Sequence, residues 1–486
     1  MSTGLGVNAK LAFRVEGSEL SGRGLVNTAY PTAPDTTVPN ADAEEVLLGV
    51  SDLVPFLSES IDDARTQEND ETLLGQAGLP GMDEVSILPA GSVEIPMFYD
   101  GLDSIIACAL GFEQPLATNS PAFDVKTALT CGSAAAGTWV DGAAVYTAAD
   151  IGKYIRTTSR TSQGQVRRVT GGSGNTYNIT PNWDVTPDAT TTGELGALEY
   201  THTFECSNQL MTELWSDFYS SYPTGGVFTS NDQIVRRGTL GIEKSQANPW
   251  IFRSAMINSF GISATQKAGL KASVAFLPFD LDKDSATNTG SSTWDWDQDS
   301  PLFETNEKIM FSDIDYIRVA AYSTGTPLDS DDNRCISAFD LTINNNLQGD
   351  DQSACTGKYR VEPARGGMRE ISGTLTVPRY TADTWSTWAD AETVLMAEIV
   401  LSGSTLSSNP RTLKVWLNSF KIKKFTAPIA GPSVVTQTIE FTCLIPTGQA
   451  SGFPTHTSGL SPKSEIFIQT TNQNPFNAFL DQNQEY

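Results

Sequence analysis

The sequence predicts a mainly β chain built from tandem β-sandwich domains with short flanking helices. Three observations carry that prediction. Forty glycines and 25 prolines in 486 residues cut the chain into short segments rich in Val, Ile, Thr, Phe and Tyr. Apolar and polar residues alternate wherever a segment is long enough to test. Two pairs of short segments also recur in the same order, as a duplicated domain would leave them.

The clearest strand covers 370–377. Ile371, Leu375 and Val377 share one face, and Glu370, Ser372, Thr374 and Thr376 share the other. Over 414–425, Trp416, Phe420 and Ile422 stand opposite Lys421 and Lys423. Helical spacing is confined to 101–110, to 209–219 with Leu210, Leu214, Trp215 and Phe218, and to 382–395, where Thr381 or Asp383 would be the N-cap.

The first recurring pair is Gly91-Ser92-Val93-Glu94-Ile95-Pro96 with Gly373-Thr374-Leu375-Thr376-Val377-Pro378, each followed by an aromatic residue (Tyr99, Tyr380) and a helical segment. The second is Asn248-Pro249 with Asn258-Ser259-Phe260, matched by Asn409-Pro410 with Asn418-Ser419-Phe420. From Gly91 to Asn248 is 157 residues and from Gly373 to Asn409 is 36, so the first copy holds 121 more. Inside that excess, segments 144–146, 151–157, 165–170 and 177–179 read as strands of a small grafted β module. The expected division is a discontinuous first domain at 1–121 plus 196–290, a module at 122–195, a second domain at 291–450, and a polar tail or arm at 451–486. The acidic stretch 280–299 reads as a linker.

Composition excludes several functions. With 31 basic and 57 acidic side chains the formal charge is −26, the wrong sign for wrapping nucleic acid. No run approaches the ~18 apolar residues of a membrane span, so no membrane insertion is expected. The opening residues lack the charged and apolar regions of a secretory signal. Six scattered cysteines without a C-x-x-C pair read as reduced, mostly buried thiols.

Catalytic and metal-binding patterns fail one by one. Asp280, Asp282 and Asp284 open like a calcium loop, but Ser285 and Ser291 occupy the glycine and glutamate positions. Gly171-Gly172-Ser173-Gly174 lacks the Lys-Ser/Thr of a phosphate loop and reads as a hairpin turn. His202 and His456, the two histidines, have no acid or cysteine at ligand or triad spacing and read as structural. Lys153, Arg156, Arg160, Arg167 and Arg168 read as an exposed β face balanced by acids. Among 57 acids a chance carboxylate pair carries no information about glycoside hydrolysis. The expected answer is no enzyme, no cofactor and no metal.

With these segments assembled, the chain resembles the major tail tube proteins of long-tailed bacteriophages. The resemblance rests on residues 4–13, on 339–347, on 369–378 and on 437–446, with 150–156 and 164–169 resembling a small β module that such proteins carry. It implies a structural virion protein, assembled in the host cytoplasm, that polymerises with itself into stacked rings. Each domain would give a sheet to one continuous β-barrel around a channel that conducts DNA without specific binding. Single-domain members form rings of six, so a duplicated chain implies a trimer with pseudo-sixfold symmetry in preference to a hexamer. Tail terminator, tape measure and tail-tip proteins are the implied partners. Glu94 and Glu370 are the acids whose strand alternation would turn them toward the lumen, giving a negative wall that repels phosphate. Two other readings stay open: a baseplate or tail-tip protein of the same fold, and a receptor- or carbohydrate-binding surface protein with Trp294 and Trp296 as its stacking pair.

Overall fold

The computed structural model describes residues 9–15, 53–70, 81–114, 126–151, 153–157, 166–180, 183, 186–189, 191–196, 200–206, 238–244, 250–283, 307–350, 358, 360, 366–406, 409–429, 434–456 and 463–472. The backbone of the fold is one extended antiparallel sheet. Its central run passes through β2 (Ser58–Glu59), β5 (Gly91–Pro96), β16 (Lys271–Leu277), β15 (Trp250–Thr265), β19 (Ala338–Asn344), β20 (Glu370–Val377), β23 (Gln437–Cys443) and β22 (Pro410–Thr426). The order contains the same four-strand unit twice. In the first unit β2, β5, β16 and β15 lie side by side, and in the second β19, β20, β23 and β22 do so, joined through the β15–β19 ladder.

β15 and β22 are the longest strands, and each serves two sheets. The first half of β15 pairs with β14 (Gly238–Glu243) and β17 (Asp280–Asp282), while its second half pairs with β16 and β19. The first half of β22 pairs with β21 (Leu395–Thr405) and β24 (Ile466–Asn472), and its second half with β23. Irregularities in register mark both corners, at Gly238/Leu240 and at Leu395/Ala397. Outer strands β1 (Lys10–Val15) and β18 (Ile314–Ala321) complete the match, on β14 and β21 respectively. A single apolar core runs between the layers of both units, from Phe13, Val93 and Phe260 to Leu375, Phe420 and Phe441.

The ladders correct the sequence match between the halves. Asn258 is the extra residue in the β15–β16 pairing and Lys423 the extra residue in β22–β23. The bulges are equivalent, so Asn258 answers to Lys423 and not to Asn418, and the recurring Asn-Ser-Phe is out of structural register. Trp416 does not share the face of Phe420 either. It packs with Met396, Phe453 and Phe467 in a separate cluster, because the first half of β22 is covered on both sides. The second helix, α2, is Thr384–Asp390 rather than 382–395: Glu392 adopts a positive φ of 48° and the chain turns into β21. The first, α1, is Asp103–Leu110 and stops at Gly111 in the left-handed conformation. The expected helix at 209–219 lies outside the described residues.

Two segments taken from sequence as surface linker and polar arm carry core strands. β17 lies within the expected linker. β24 lies within the expected tail, and its Ile466, Phe467 and Ile468 are fully buried. Its threonines Thr470 and Thr471 mask it in a hydropathy reading, although both are buried too. Beyond β24 the outer sheet continues through β13 (Tyr200–Cys206) to β6 (Gly111–Glu113), strands that flank the inserted module.

The module is a closed six-stranded barrel in the order β10 (Val166–Ser173), β11 (Thr176–Thr180), β8 (Thr138–Asp141), β7 (Lys126–Ala135), β12 (Thr192–Gly196) and β9 (Tyr154–Thr157). Trp139, Tyr177, Ile155 and Val169 fill its own core. Residues 144–146, expected as a strand, form a loop, because the Asp141 carboxylate accepts the N–H groups of Ala143 and Ala144 and turns the chain. The glycine run is the β10–β11 hairpin, with Gly174 at φ 59° in the turn.

The repeated glycines have a steric cause. A Cβ on Gly373 would stand 2.3 Å from the Asp340 carbonyl oxygen, and one on Gly91 would stand 2.6 Å from that of Ser60, the residue in the equivalent position. Gly91→Ala and Gly373→Ala should each destabilise the chain by roughly 1–3 kcal/mol in urea unfolding. Gly325→Ala, where no atom lies within 4 Å, should stay within about 0.5 kcal/mol of wild type.

Candidate functional site: a hydrophilic sheet face and two open edges

Alternation along the central run gives it one dry and one wet face. The dry residues Val93, Val274, Ile262, Leu341, Leu375 and Ile439 enter the core. The opposite face carries Ser92, Ser273, Ser263, Thr342, Thr374 and Thr438, a surface made mainly of hydroxyls. Across the first unit and its junction it forms a shallow trough lined by Glu94, Lys271, Ser273, Asp340 and Thr342.

Charges on this face are largely neutralised in place. Lys271 Nζ lies 2.7 Å from Glu94 Oε1, and Lys424 Nζ lies 3.0 Å from Glu440 Oε1. Asp340 accepts the Thr374 N–H at 2.7 Å. Glu94 and Glu370 do stand on the wet face, as their strand alternation predicts, but the face as a whole is hydroxyl-lined, and Glu94 and Glu440 are each matched by a lysine. The chain's net charge of −26 therefore lies mostly elsewhere.

The run ends in two edges that no described strand covers. At one end, β2 pairs only with β5, and its edge continues through Ile61, Asp62 and Asp63. At the other, Lys421–Thr426 of β22 pair only with β23. Acids stand along the first edge, Glu59, Asp62 and Asp63, with Glu59 paired to Lys244 and Asp63 to Arg65 and Lys283. Lysines stand along the second, Lys421, Lys423 and Lys424, with Lys421 paired to Glu392 and Lys424 to Glu440. The internal β15–β19 ladder shows what each edge can accept, since β15 is the counterpart of β22 and β19 that of β2. Within it Gly261 faces Thr342 and Ser259 faces Asn344.

Beside the acidic edge, β3 (Arg65–Asp70) and β4 (Gly81–Ile87) form a separate two-stranded hairpin with Met82 and Val85 exposed. Its base is held by charge. Asp63 takes Arg65 Nε at 2.6 Å and Lys283 Nζ at 2.8 Å, and Glu84 takes Arg65 and Lys358. Burial opposes ionisation of Asp63, but the hydrogen bonds from Lys283 and Arg65 prevail and hold its pKa down at about 2. Arg360 is buried beneath the hairpin and donates to the Pro89 carbonyl at 2.6 Å; burial brings its pKa down to about 10.

The sequence's chemical candidates disperse in the fold. His202 is fully buried, with Nδ1 2.7 Å from Glu113 Oε1. His456 accepts the Ser464 N–H at 3.2 Å and packs on Phe467. They lie on opposite faces of the outer sheet, His202 on the core side with Phe204 and His456 on the side of Phe467, and neither belongs to the wet face of the central run. Asp280 and Asp282 lie in β17, while Asp284, Trp294 and Trp296 fall outside the described residues. The basic group of the module is not one exposed face: Arg167 is fully buried over Trp183, and Lys153 pairs with Asp150. Sequence reasoning missed the open edges as a pair, because their equivalence needs the ladder register.

The geometry is thus a duplicated unit with one hydrophilic sheet face and, among the described residues, two uncovered edges. The family model for phage tail tube proteins matches residues 6–443. The chain belongs to the phage tail tube protein family. The tail tube protein is thus a structural component of the virion tail, in a family that self-assembles into a tube and is not enzymatic in general. No match to a curated protein was found.

Asp63 fastens the hairpin base, and its pKa is lower folded than the unfolded value of about 3.9. Its stabilisation is therefore present above pH 4 and lost as the pH falls through 2. Asp63→Asn should lower the urea midpoint at pH 7, and the gap to wild type should close between pH 4 and pH 2.

Proposed function

We propose that three copies of this chain close a ring of six equivalent units, that rings stack into a hollow tube, and that the wet face lines a channel conducting phage DNA into the host. The internal junction carries this reading. One chain already joins two units through β15 and β19, and its β22 and β2 edges are the same two elements with no partner strand among the described residues. Joining them head to tail repeats one interface, and a repeated heterologous contact that closes gives a ring. Closure removes both edges. Three chains then supply the units that six single-domain subunits supply elsewhere in the family.

The proposed lumen follows from the same geometry. If the dry face packs the sandwich, the hydroxyl-rich face turns to the axis. Hydroxyls and paired charges offer phosphate no concentrated cationic site, so DNA can pass without being held. Assembly would take place in the host cytoplasm, on a tail-tip complex with a tape measure protein inside and a terminator capping the finished tube.

Electron microscopy of the purified protein should show hollow tubes with end views of three chains. By the β15–β19 register, Gly261 answers to Thr426 and Thr342 to Asp62. The double variant Thr426→Cys, Asp62→Cys should therefore form disulfides between chains, giving covalent trimers on non-reducing gels. Monomers that never associate would refute the reading. In virions, Glu94→Lys with Glu370→Lys should slow DNA release, because Lys271 would lose its partner and new cations would face the phosphates.

A further inference from the structure

The junction between the two units has a second component besides the β15–β19 ladder. The segment Glu307 to Met310, just ahead of β18, lies across the first unit as a short strand. Ile309 donates its N–H to the Met97 carbonyl at 2.9 Å, and Leu270 donates to the Ile309 carbonyl at 2.9 Å. Tyr99 donates to Glu307 at 3.1 Å, and Phe311 to Ala268 at 3.0 Å. Isolated bridges Phe98–Lys308 and Gly269–Met310 mark the same contact. Ile309 is 1% exposed, and the residues that receive it, Met97, Tyr99 and Leu270, are equally buried.

The second unit has the matching slot, and no described residue fills it. Phe276 answers to Phe441 through the β5–β16 and β20–β23 registers, so Gly269 and Leu270 answer to Val434 and Val435. Residues 97–99 after β5 answer to 379–381 after β20. Tyr380, which answers to Phe98, donates its N–H to the Val435 carbonyl at 2.9 Å, one residue further along than the Met97–Leu270 bond of 3.0 Å, so the two walls of the slot are joined with a one-residue offset. Yet Val434 is 61% and Tyr380 41% exposed. α2 beside them buries only Trp385, where α1 is almost wholly covered.

The same equivalence identifies what belongs there. The strand that fills the first slot precedes β18, and β18 answers to β1: Ile317 sits against Ile399 as Leu11 sits against Ile242. Counting back, with the bulged Asp315 taken into account, Ile309 falls level with Thr3 or Gly4. Leu5 is the large apolar residue of that stretch. Within one chain β1 is fixed on β14 in the first unit, whereas the slot lies at the downstream end of the second unit, where the next copy would begin.

We propose that the slot between Tyr380 and Val434–Val435 receives the segment preceding β1 of a second copy of this chain, laid down as a short strand around Leu5. The inference rests on the ring reading above and adds an exchanged segment to each subunit contact. Backbone pairing supplies the affinity, and burial of Val434 and Leu5 supplies the apolar part.

The test uses full-length protein with a benzophenone amino acid at position 5, assembled from an equal mixture of isotopically heavy and light chains. Crosslinked peptides joining residue 5 to the Tyr380 or Val434 peptide, half of them heavy-to-light hybrids, are expected. Crosslinks within a single chain, or to other peptides, would overturn the proposal. Independently, Val434→Asp should melt like wild type as an unassembled chain but assemble at least tenfold more slowly by light scattering. An unchanged rate would also overturn it. If wild-type chains form tubes and these two results fail, the strand exchange alone is wrong. If wild-type chains form no tubes, the ring reading falls with it.

Discussion

A β-sheet edge must be paired, covered or charged, because its N–H and C=O groups otherwise invite any strand that passes. In the tail tube protein the central run holds two four-strand units and leaves, among the described residues, an uncovered edge at each end, which on the proposed reading another copy pairs. Charged side chains, one of the usual devices for blunting an edge, flank both: Glu59, Asp62 and Asp63 at one end, Lys421, Lys423 and Lys424 at the other.

The rest of the architecture serves that arrangement. β15 and β22 run from the outer sheet into the central one, so the layer that forms the junction is covalently continuous with the layer that braces it. Bulges at Asn258 and Lys423 let each strand keep its side chains in phase after the corner. Gly91 and Gly373 allow the neighbouring strand to approach within contact of their backbone. The inserted barrel has its own core and interrupts the chain where α1 leads through β6 toward β13, so it loads the outer sheet without touching the central register.

What the sequence made legible follows from how local each signal is. The 370–377 strand, the glycine–proline signature before each helix and the hairpin turn at Gly174 depend on neighbours within a few residues, and all were readable. The correspondence of Asn258 with Lys423 was not, since a bulge displaces register without leaving a compositional mark. β24 was hidden because Thr470, Thr471 and Asn472 look solvated, whereas they are buried beside α1, where Asp103 accepts from Thr470 and Asn472. The trough was half visible. Alternation put Glu94 and Glu370 on the wet face, but only the ladder shows that Lys271 stands diagonal to Glu94 and Lys424 opposite Glu440.

That pairing changes the physical argument for passage of DNA. A wall with the full net charge of the chain would repel phosphate strongly, but it would also repel the like-charged walls of its neighbours across each subunit junction and oppose closure. A wall of hydroxyls with locally matched ion pairs avoids both costs. It presents no cluster of cations for the backbone to condense on, and its hydroxyls exchange hydrogen bonds with water as readily as with phosphate. On the proposed reading the acidity read from composition would serve solubility, while the hydroxyl-lined inner face would let DNA pass by offering it no site to bind.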